Sequence, residues 1–222
     1  MDFTGKRVLV VGTGVSGIAA IRLLAAKGAK PVVLEGNEKA DREQVVSRIP
    51  EGIGYDLIIG NLPEEVMDTL DLAVLSPGVP TDLPFVIKLQ DKKIPVWGEI
   101  ELAYACGSGR LVAITGTNGK TTTTALTGAI LREYYDSVFV VGNIGLPYTE
   151  YALEMKDSSV TVAEVSSFQL ETIHTFQPEV SAILNITPDH LNRHHTMECY
   201  IDTKARIAEN QTKAQILSLI HI

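Results

Sequence analysis

The sequence predicts an α/β protein with two successive units, each built on a parallel sheet with helices on its faces. Short apolar runs alternate with helix-like segments along the chain. A glycine-rich turn, Gly12–Gly17, follows the first apolar run, and a second one, Gly116–Thr122, follows a later run. Because strands that alternate with helices pair in parallel, this order predicts parallel sheets.

The first unit is predicted from apolar runs that end in glycine or proline. One segment has helical apolar spacing, and two others carry proline near the first turn, where proline suits a helix. The predicted strands are Arg7–Val11, Pro31–Leu34, Gly54–Gly60, Leu72–Leu75 and Pro95–Trp97, and the predicted helices are Ser16–Lys27, Pro63–Leu70 and Pro84–Asp91.

A second alternation of strands and helices begins at Leu111. The segment Cys106–Arg110 is a candidate seam, and we place the two domains at residues 1–95 and 96–213. The predicted strands are Leu111–Ile114, Ser137–Val141, Thr161–Val165 and Val180–Ile186, and the predicted helices are Thr123–Arg132 and Tyr200–Arg206.

The last residues follow no helical or strand pattern that we can justify. The run Leu217–Ile222 reads like the translated end of a sequencing adapter. We therefore interpret residues 214–222 as a non-native tail and expect the natural protein to continue beyond Lys213. The alternative is a native apolar C-terminal strand.

Composition narrows the class of protein. The chain of 222 residues is 45% hydrophobic, and 19 basic against 27 acidic residues give a net charge of −8. This balance argues against a nucleic-acid binder. The longest apolar runs are strand-sized and no signal peptide is evident, so we expect no membrane insertion. Two cysteines, Cys106 and Cys199, fit a reducing cytoplasm, where we place the protein.

The glycine-rich turn Gly116–Thr122 lies between a predicted strand and a predicted helix. Backbone N–H groups in such a turn cradle phosphates, Lys120 would reach the terminal phosphates, and the Thr121 hydroxyl suits a Mg²⁺ position. The general P-loop pattern has glycine where this chain has Ile114. A tight turn with an exposed lysine is the alternative, but it leaves the combination of glycines, lysine and threonine unexplained.

The first turn, Gly12–Gly17, matches G-x-G-x-x-G and is followed by Glu35 at the end of the next strand. This pattern is typical of a dinucleotide site with an acid placed for a ribose. It also suits any nucleotide whose diphosphate meets a helix N-terminus, and the glycines can be purely structural. The residues alone leave all three interpretations open. Ser76–Gly78 ends another strand at the same edge and adds a second backbone loop.

Polar side chains follow the strands of the second unit. Glu164 is a natural Mg²⁺ ligand beside a phosphate loop, although a solvated glutamate is the alternative. Asn143 either orients a substrate or forms a turn. A histidine after a strand, such as His190, is more often structural, and a zinc pair with His194 is a poor match. From spacing alone, Lys204 is a solvated lysine.

Taken together, these motifs resemble the Mur ligases, ATP-dependent amide-forming enzymes of bacterial cell-wall synthesis. The resemblance implies a Rossmann-like parallel-sheet N-terminal domain followed by an incomplete P-loop-type central domain. It covers the chain from about Asp2 to Lys213 and rests on Gly12–Gly17, Ser76–Gly78, Gly116–Thr121, Gly142–Pro147, Glu164–Leu170 and Asp189–Leu191.

The resemblance also implies roles for individual residues. Glu35 stands where the family often has aspartate, and aligning Lys204 needs a one-residue gap after His190. Lys120, His190 and Lys204 are implied to be catalytic, and the family carbamylates the matching lysine. The implied ATP-binding residues are Gly116, Thr117, Asn118, Gly119, Lys120, Thr121 and Thr122; the implied UDP-substrate contacts are Val15, Ser16, Glu35, Gly36, Ser76, Pro77, Gly78, Asn143, Ser166 and Gln169; and the implied metal ligands are Thr121, Glu164, His190 and Lys204.

The resemblance finally implies a reaction, its cofactors and its partners. ATP and Mg²⁺ are the implied cofactors, and the substrates are UDP-N-acetylmuramoyl-L-alanine and D-glutamate, joined through an acyl phosphate. We expect the full-length protein to be monomeric and this shorter chain to lack turnover, which would leave it a nucleotide-binding remnant. The alternatives are a ligase similar to folylpolyglutamate synthetase and an NAD-dependent oxidoreductase built on Gly12–Gly17.

Overall fold

The computed structural model describes residues 1–221, which contain two five-stranded parallel sheets. The first sheet has the strand order β3-β2-β1-β4-β5. Its strands are β1 (Arg7–Val11), β2 (Lys30–Glu35), β3 (Asp56–Ile59), β4 (Leu72–Leu75) and β5 (Val96–Gly98), and its helices are α1 (Val15–Ala26), α2 (Arg42–Arg48), α3 (Glu64–Met67) and α4 (Pro84–Asp91).

The central strand β1 is buried on both faces of the first sheet. Val8 and Val10 pack into one apolar cluster, whereas Leu9 and Val11 pack into another on the opposite face. This alternation follows from the two-residue period of a strand. Helices therefore cover both faces, as parallel sheets require, and the predicted α/β class is confirmed.

The second sheet has the order β10-β9-β6-β8-β7 and is also parallel throughout. Because β6 is the central strand, the loop that follows it lies at the middle of the edge formed by the carboxyl ends of the strands. Its strands are β6 (Arg110–Thr115), β7 (Val138–Gly142), β8 (Val160–Glu164), β9 (Val180–Asn185) and β10 (Ile216–His221), and the remaining helices are α5 (Glu99–Cys106), α6 (Lys120–Arg132), α7 (Tyr148–Tyr151), α8 (Ser167–Leu170), α9 (Leu191–His194) and α10 (Met197–Ala205), with a 3-10 turn at Arg206–Ala208.

The tail differs from the sequence-based expectation in one respect. Residues Ile216–His221 form a strand that runs parallel to β9, with Ile216 opposite Val180. The expectation that this segment follows no strand pattern is therefore wrong. The apolar side chains of Ile216 and Leu219 are 61% and 53% exposed, so backbone pairing rather than a buried face places the strand. The non-native origin of residues 214–222 stays a prediction.

Several short helices were not predicted, and some predicted elements are shorter in the structure. Helix α2 begins where the Asp41 side chain accepts hydrogen bonds from the backbone N–H groups of Glu43 and Gln44. Helix α5 is buried, so it lacks the polar face that reveals a surface helix. The predicted helix Pro63–Leu70 is shortened to Glu64–Met67.

Helix α5 connects the two sheets and contacts residues of both units. Its Glu101 carboxylate accepts hydrogen bonds from the backbone N–H groups of His174, Thr175 and Phe176, at 2.7–3.0 Å. One apolar cluster contains residues of both units, including Val8 and Leu111. The first sheet extends to Gly98, past the boundary placed at residue 95, and the second begins at Arg110. The sheets therefore share a continuous core.

Within residues 1–221, the structure contains no helix with the length and apolar character needed to cross a membrane.

Candidate functional site

The first glycine turn joins β1 to α1 by a close backbone contact. Gly12 has a φ of +97°, which favours glycine. A Cβ atom at Gly17 would lie 2.0 Å from the Gly12 carbonyl oxygen, so this position needs glycine for packing. The structural interpretation of Gly17 is therefore correct. It does not oppose phosphate binding, because the N-terminus of α1 still begins directly at this turn, at Val15.

Glu35 ends β2 beside the same turn. One carboxylate oxygen accepts a hydrogen bond from the Thr13 hydroxyl at 2.5 Å, and the other accepts one from the Asn37 backbone N–H at 3.1 Å. Glu35 and Gly36 line a cleft of about 700 Å³ that also reaches Gly78 after β4. The structure thus brings together the predicted acid, its glycine neighbour and the Ser76–Gly78 loop at one sheet edge.

Hydrogen bonds to Asn185 hold the second glycine turn against the end of β9. Gly116 and Gly119 have φ values of +150° and +84°. The Asn185 side chain accepts a hydrogen bond from the Asn118 backbone N–H and donates one to the Asn118 carbonyl, both at 2.9 Å. The Thr117 N–H donates to the Asn185 carbonyl at 2.9 Å. Sequence reasoning missed Asn185, whose place at the end of β9 is the signal that could have identified it.

Two lysines converge on a single carbonyl of this turn. Lys120 Nζ donates to the carbonyl oxygens of Gly116 and Thr117 at 3.0 and 2.9 Å. Lys204 Nζ donates to the same Gly116 oxygen at 2.9 Å and lies 4.7 Å from the centre of the Tyr200 ring. Both ammonium groups therefore lie at the glycine turn that is predicted to hold phosphates.

Lys204 is buried, with 1% of its surface exposed, so the solvated interpretation is wrong. Burial and, to a smaller extent, the nearby Lys120 lower the pKa of Lys204 to about 8, although Asp189 opposes the shift. Spacing along a helix could not show this, because the groups that enclose Lys204 come from other segments.

Three predicted residues meet at the end of β8. The Glu164 carboxylate accepts a hydrogen bond from the Thr121 hydroxyl at 2.7 Å on one oxygen and from the Asn143 side chain at 3.0 Å on the other. Glu164 is 1% exposed, so it is not the solvated glutamate of the alternative. The Asn143 backbone N–H also donates to the Glu164 carbonyl at 2.9 Å, so Asn143 is part of a turn as well.

This group has the donor chemistry of a magnesium site. Mg²⁺ prefers one or two carboxylate oxygens together with phosphate oxygens and water. Thr121 and Glu164 supply a hydroxyl and a carboxylate side by side at the phosphate turn. The residues present therefore fit the ion. Among the described residues, no group of three or more His, Cys, Asp and Glu side chains is placed to hold a metal.

Ser166 and Gln169 start the short helix α8 next to this group. The Gln169 side-chain carbonyl accepts hydrogen bonds from the backbone N–H and the hydroxyl of Ser166, at 2.9 and 3.0 Å. Gln169 lines a cavity of about 190 Å³ together with Val15, Ser16, Pro77 and Asn143. Predicted substrate positions of both units therefore face one space between the sheets.

His190 occupies a different setting from the other predicted ligands. Its φ is +52°, and its ring packs 4.9 Å from the Phe168 ring. Its Nε2 atom lies 3.5 Å from an Asp189 carboxylate oxygen. The described contacts do not join it to Thr121 or Glu164, so its role as a ligand stays a prediction.

His194 is buried, unlike its neighbour His190. One ring nitrogen lies 2.9 Å from the Ser167 hydroxyl, and the other lies 3.8 Å from a Glu171 oxygen. Burial lowers the pKa of His194, and the Glu171 carboxylate partly opposes that shift. The two histidines therefore face different partners, which contradicts a zinc pair.

The fold and the turn geometry define an α/β protein whose second sheet carries a glycine turn between its central strand and a helix. Two family models match the chain, the Mur ligase MurD-like N-terminal domain at residues 6–98 and the Mur ligase middle domain at residues 114–221. The chain belongs to the Mur ligase family.

Curated relatives carry the name of one ligase. The chain is 58% identical over 213 residues to UDP-N-acetylmuramoylalanine--D-glutamate ligase of Lachnoclostridium phytofermentans, covering 96% of this chain and 47% of the relative. It is also 58% identical over 214 residues to the ligase of the same name from Lachnospira eligens, with the same coverage. The chain thus spans about half the length of the curated relatives it matches.

Solved structures support the fold at low sequence identity. The ligase for UDP-N-acetylmuramate and L-alanyl-γ-D-glutamyl-meso-diaminopimelate from Neisseria meningitides aligns with a TM-score of 0.60 at 14% identity, covering 97% of this chain and 71% of that chain. UDP-N-acetylmuramate-alanine ligase from Thermotoga maritima aligns with a TM-score of 0.55 at 21% identity, covering 96% and 48%.

Proposed function

We propose that these two units are the substrate-binding and ATP-binding parts of a ligase that adds D-glutamate to UDP-N-acetylmuramoyl-L-alanine in peptidoglycan synthesis. The observation that carries this proposal is the convergence of Lys120, Lys204, Thr121 and Glu164 at the second glycine turn. The names of the relatives support the choice of substrates. Because the chain spans about half their length, the activity is proposed for a protein of the relatives' length.

The first sheet is proposed to hold the uridine diphosphate end of the substrate. A diphosphate fits the N-terminus of α1, where backbone N–H groups and the helix dipole favour anions. Glu35 is proposed to contact the nucleoside, since it lies beside this turn and lines the adjacent cleft. The proposed contacts are Val15, Ser16, Glu35, Gly36, Ser76, Pro77 and Gly78, with Asn143, Ser166 and Gln169 reached from the second unit.

The second sheet is proposed to bind ATP through Gly116, Thr117, Asn118, Gly119, Lys120, Thr121 and Thr122. A carboxylate that attacks a triphosphate meets strong repulsion between anions, so the site must neutralise charge as the phosphoryl group moves. Lys120 is proposed to perform that task, and the position of its ammonium at the turn that would hold the phosphates supports this role. Thr121 and Glu164, with His190 and Lys204 as further candidates, would hold Mg²⁺, which adds positive charge at the phosphate oxygens.

The proposed reaction has two stages. The terminal phosphoryl group of ATP passes to the substrate carboxylate, which gives an acyl phosphate and ADP. The amine of D-glutamate then attacks the acyl carbon, an amide bond forms, and inorganic phosphate leaves. Lys204 is proposed to act as a carbamylated ligand. The lowered pKa supports this proposal, because only a neutral amine reacts with carbon dioxide.

Two other functions fit the residues less well. An NAD-dependent oxidoreductase would use the first turn but leave the group at the second turn without a role. A ligase similar to folylpolyglutamate synthetase would use the second turn, but the match of residues 6–98 to a MurD-like N-terminal domain speaks against it.

Isothermal titration separates these functions. We expect the chain to bind UDP-N-acetylmuramoyl-L-alanine and, in a separate titration with Mg²⁺, a non-hydrolysable ATP analogue. NADH should give no heat of binding. Binding of NADH without binding of the UDP compound would overturn the proposal in favour of an oxidoreductase. Binding of the ATP analogue alone would favour the second alternative.

A further inference from the structure

Glu99 is a buried carboxylate between the two sheets that the proposed mechanism does not use. It is the first residue of α5, directly after β5 of the first sheet, and it is 1% exposed. Its Oε1 atom accepts hydrogen bonds from the backbone N–H and the hydroxyl of Thr149, at 2.7 and 2.8 Å. Thr149 lies in α7, which follows a strand of the second sheet. The carboxylate therefore joins the two units.

The second oxygen of Glu99 lacks this support. Oε2 is buried and has no hydrogen-bond partner among the residues that the structure describes. The Ser76 Oγ atom is also buried and without a hydrogen-bond partner among these residues. A buried polar atom without a partner is unfavourable, and each such atom in a folded protein calls for an explanation. Both atoms belong to residues that line one narrow crevice, which also contains Gln169.

The crevice adjoins the proposed substrate space. Pro77, Glu99 and Gln169 line both the crevice and the cavity of about 190 Å³ between the sheets. That cavity also contains Ser16 and Asn143, which are proposed to contact the substrate. Among the described residues that line this cavity, Glu99 is the only acid, and it is buried, whereas the other lining residues are neutral.

Gln169 connects Glu99 to this cavity. The Gln169 carbonyl is already engaged by Ser166, which leaves its amide nitrogen as the free donor. Burial raises the pKa of Glu99, and the hydrogen-bond donors of Thr149 and then Gln169 oppose that shift. Gln169 lies beside Glu99 in the narrow crevice, and no hydrogen bond joins it to Oε2 among the residues that the structure describes.

We propose that Glu99 is a positioning residue: when the UDP-linked substrate binds, its free Oε2 atom accepts a hydrogen bond from one N–H of the Gln169 side-chain amide and so directs the other N–H toward the part of the substrate beyond the diphosphate. This inference rests on the proposed function and deepens it. Glu99 Oε2 is this acceptor, and its hydrogen bond fixes the orientation in which the Gln169 amide contacts the sugar and peptide portion of the substrate. UDP alone lacks the sugar and peptide portion that would meet this amide, so its affinity should depend little on Glu99.

The test compares two ligands by isothermal titration of the chain. Glu99→Gln keeps an oxygen for Thr149 and replaces the acceptor at Oε2 by a donor, which opposes the Gln169 amide. We expect the affinity for UDP-N-acetylmuramoyl-L-alanine to fall about tenfold and the affinity for UDP to change by less than about twofold. In a Gln169→Ala background, the same substitution should have no further effect, because Glu99 acts through that amide.

Glu101→Gln is the matched control. Glu101 lies in the same helix and is equally buried, but both of its oxygens are engaged by residues His174–Phe176. We expect this variant to lower the melting temperature and to leave the ratio of the two affinities unchanged. Should Glu99→Gln not fold, Glu99→Asp withdraws the carboxylate from Gln169 and allows the same comparison.

The outcomes separate the two levels of inference. If the wild-type chain binds neither UDP nor the complete substrate, the proposed function is wrong. If it binds both and Glu99→Gln lowers both affinities equally or neither, the role of Glu99 is wrong and the proposed function stands. A loss that persists in the Gln169→Ala background would also overturn the positioning role.

Discussion

Lys120 is the side chain on which the proposed phosphoryl transfer depends most directly. Replacing it with alanine removes the ammonium that bonds the Gly116 and Thr117 carbonyls. We expect Lys120→Ala to abolish phosphate transfer in a protein of the relatives' length. In this chain it should weaken the ATP analogue by about tenfold or more, since a charge-assisted contact is lost. Binding of the UDP substrate should stay within about twofold.

Titration of each ligand against Lys120→Ala measures both effects. Lys213→Ala, at an exposed position, is the control for the loss of a positive charge. Unchanged binding of the ATP analogue by Lys120→Ala would remove this lysine from the site.

Lys204 should make stability depend on pH. Its pKa is about 8 in the folded chain against 10.5 for an ordinary lysine, so the unfolded chain binds more protons between these values. The free energy of unfolding therefore rises with pH across that window. The contribution is at most about 3 kcal/mol. In Lys204→Met, this part of the rise should be absent.

Urea unfolding of both proteins from about pH 8 to 10.5, in buffer freed of carbon dioxide, measures the difference. Other groups titrate in this range, but their effects cancel when the two proteins are compared at each pH. If the free energy of unfolding changed with pH in the same way for wild type and Lys204→Met, that result would contradict the lowered pKa of a buried Lys204.

At the scale of elements, the contact between β1 and α1 depends on the absence of a Cβ atom at Gly17. In Gly17→Ala, the new Cβ atom would lie 2.0 Å from the Gly12 carbonyl oxygen, so the helix must move away from the strand. We expect a loss of about 1–3 kcal/mol in the free energy of unfolding, the range typical of overpacking. Gly14→Ala is the matched control, because no described atom lies within 4 Å of its Cβ position.

Gly14 is also the residue before α1, so alanine there costs the helix no more than about 1 kcal/mol. Urea unfolding of the two variants gives the comparison. Equal stability of Gly17→Ala and Gly14→Ala would show that the close contact does not limit this turn.

The elements also show what could be predicted from the sequence. Leu72–Leu75 and Pro84–Asp91 match the structure in both bounds, because an apolar run closed by proline and glycine and a proline in the first turn of a helix are both local signals. The burial of Lys204 and the clamp formed by Asn185 arise from segments far apart in the chain, so spacing could not reveal them. The partnership of Thr121 with Glu164 could be predicted, since Glu164 ends one strand and Thr121 comes after the neighbouring strand of the same parallel sheet.

At the scale of the whole molecule, we predict that this chain shows no ligase turnover. It spans 47% of a relative that carries the ligase name, and we expect the D-glutamate contacts to lie in the remainder. The expected result is no D-glutamate-dependent release of ADP from this chain and measurable release from a version of the relatives' length. A coupled assay for ADP measures both. Release from the short chain would show that its two units suffice.

The shared core fixes the distance between the two glycine turns. Apolar side chains of both units pack in one cluster, and Glu101 ties α5 to residues His174–Phe176 of the second unit. The spacing between the two glycine turns is therefore set before any ligand arrives. If the first turn holds the uridine diphosphate and the second holds ATP, as proposed, only a substrate long enough to span that distance brings its carboxylate to the triphosphate, and a shorter one would occupy the first turn alone.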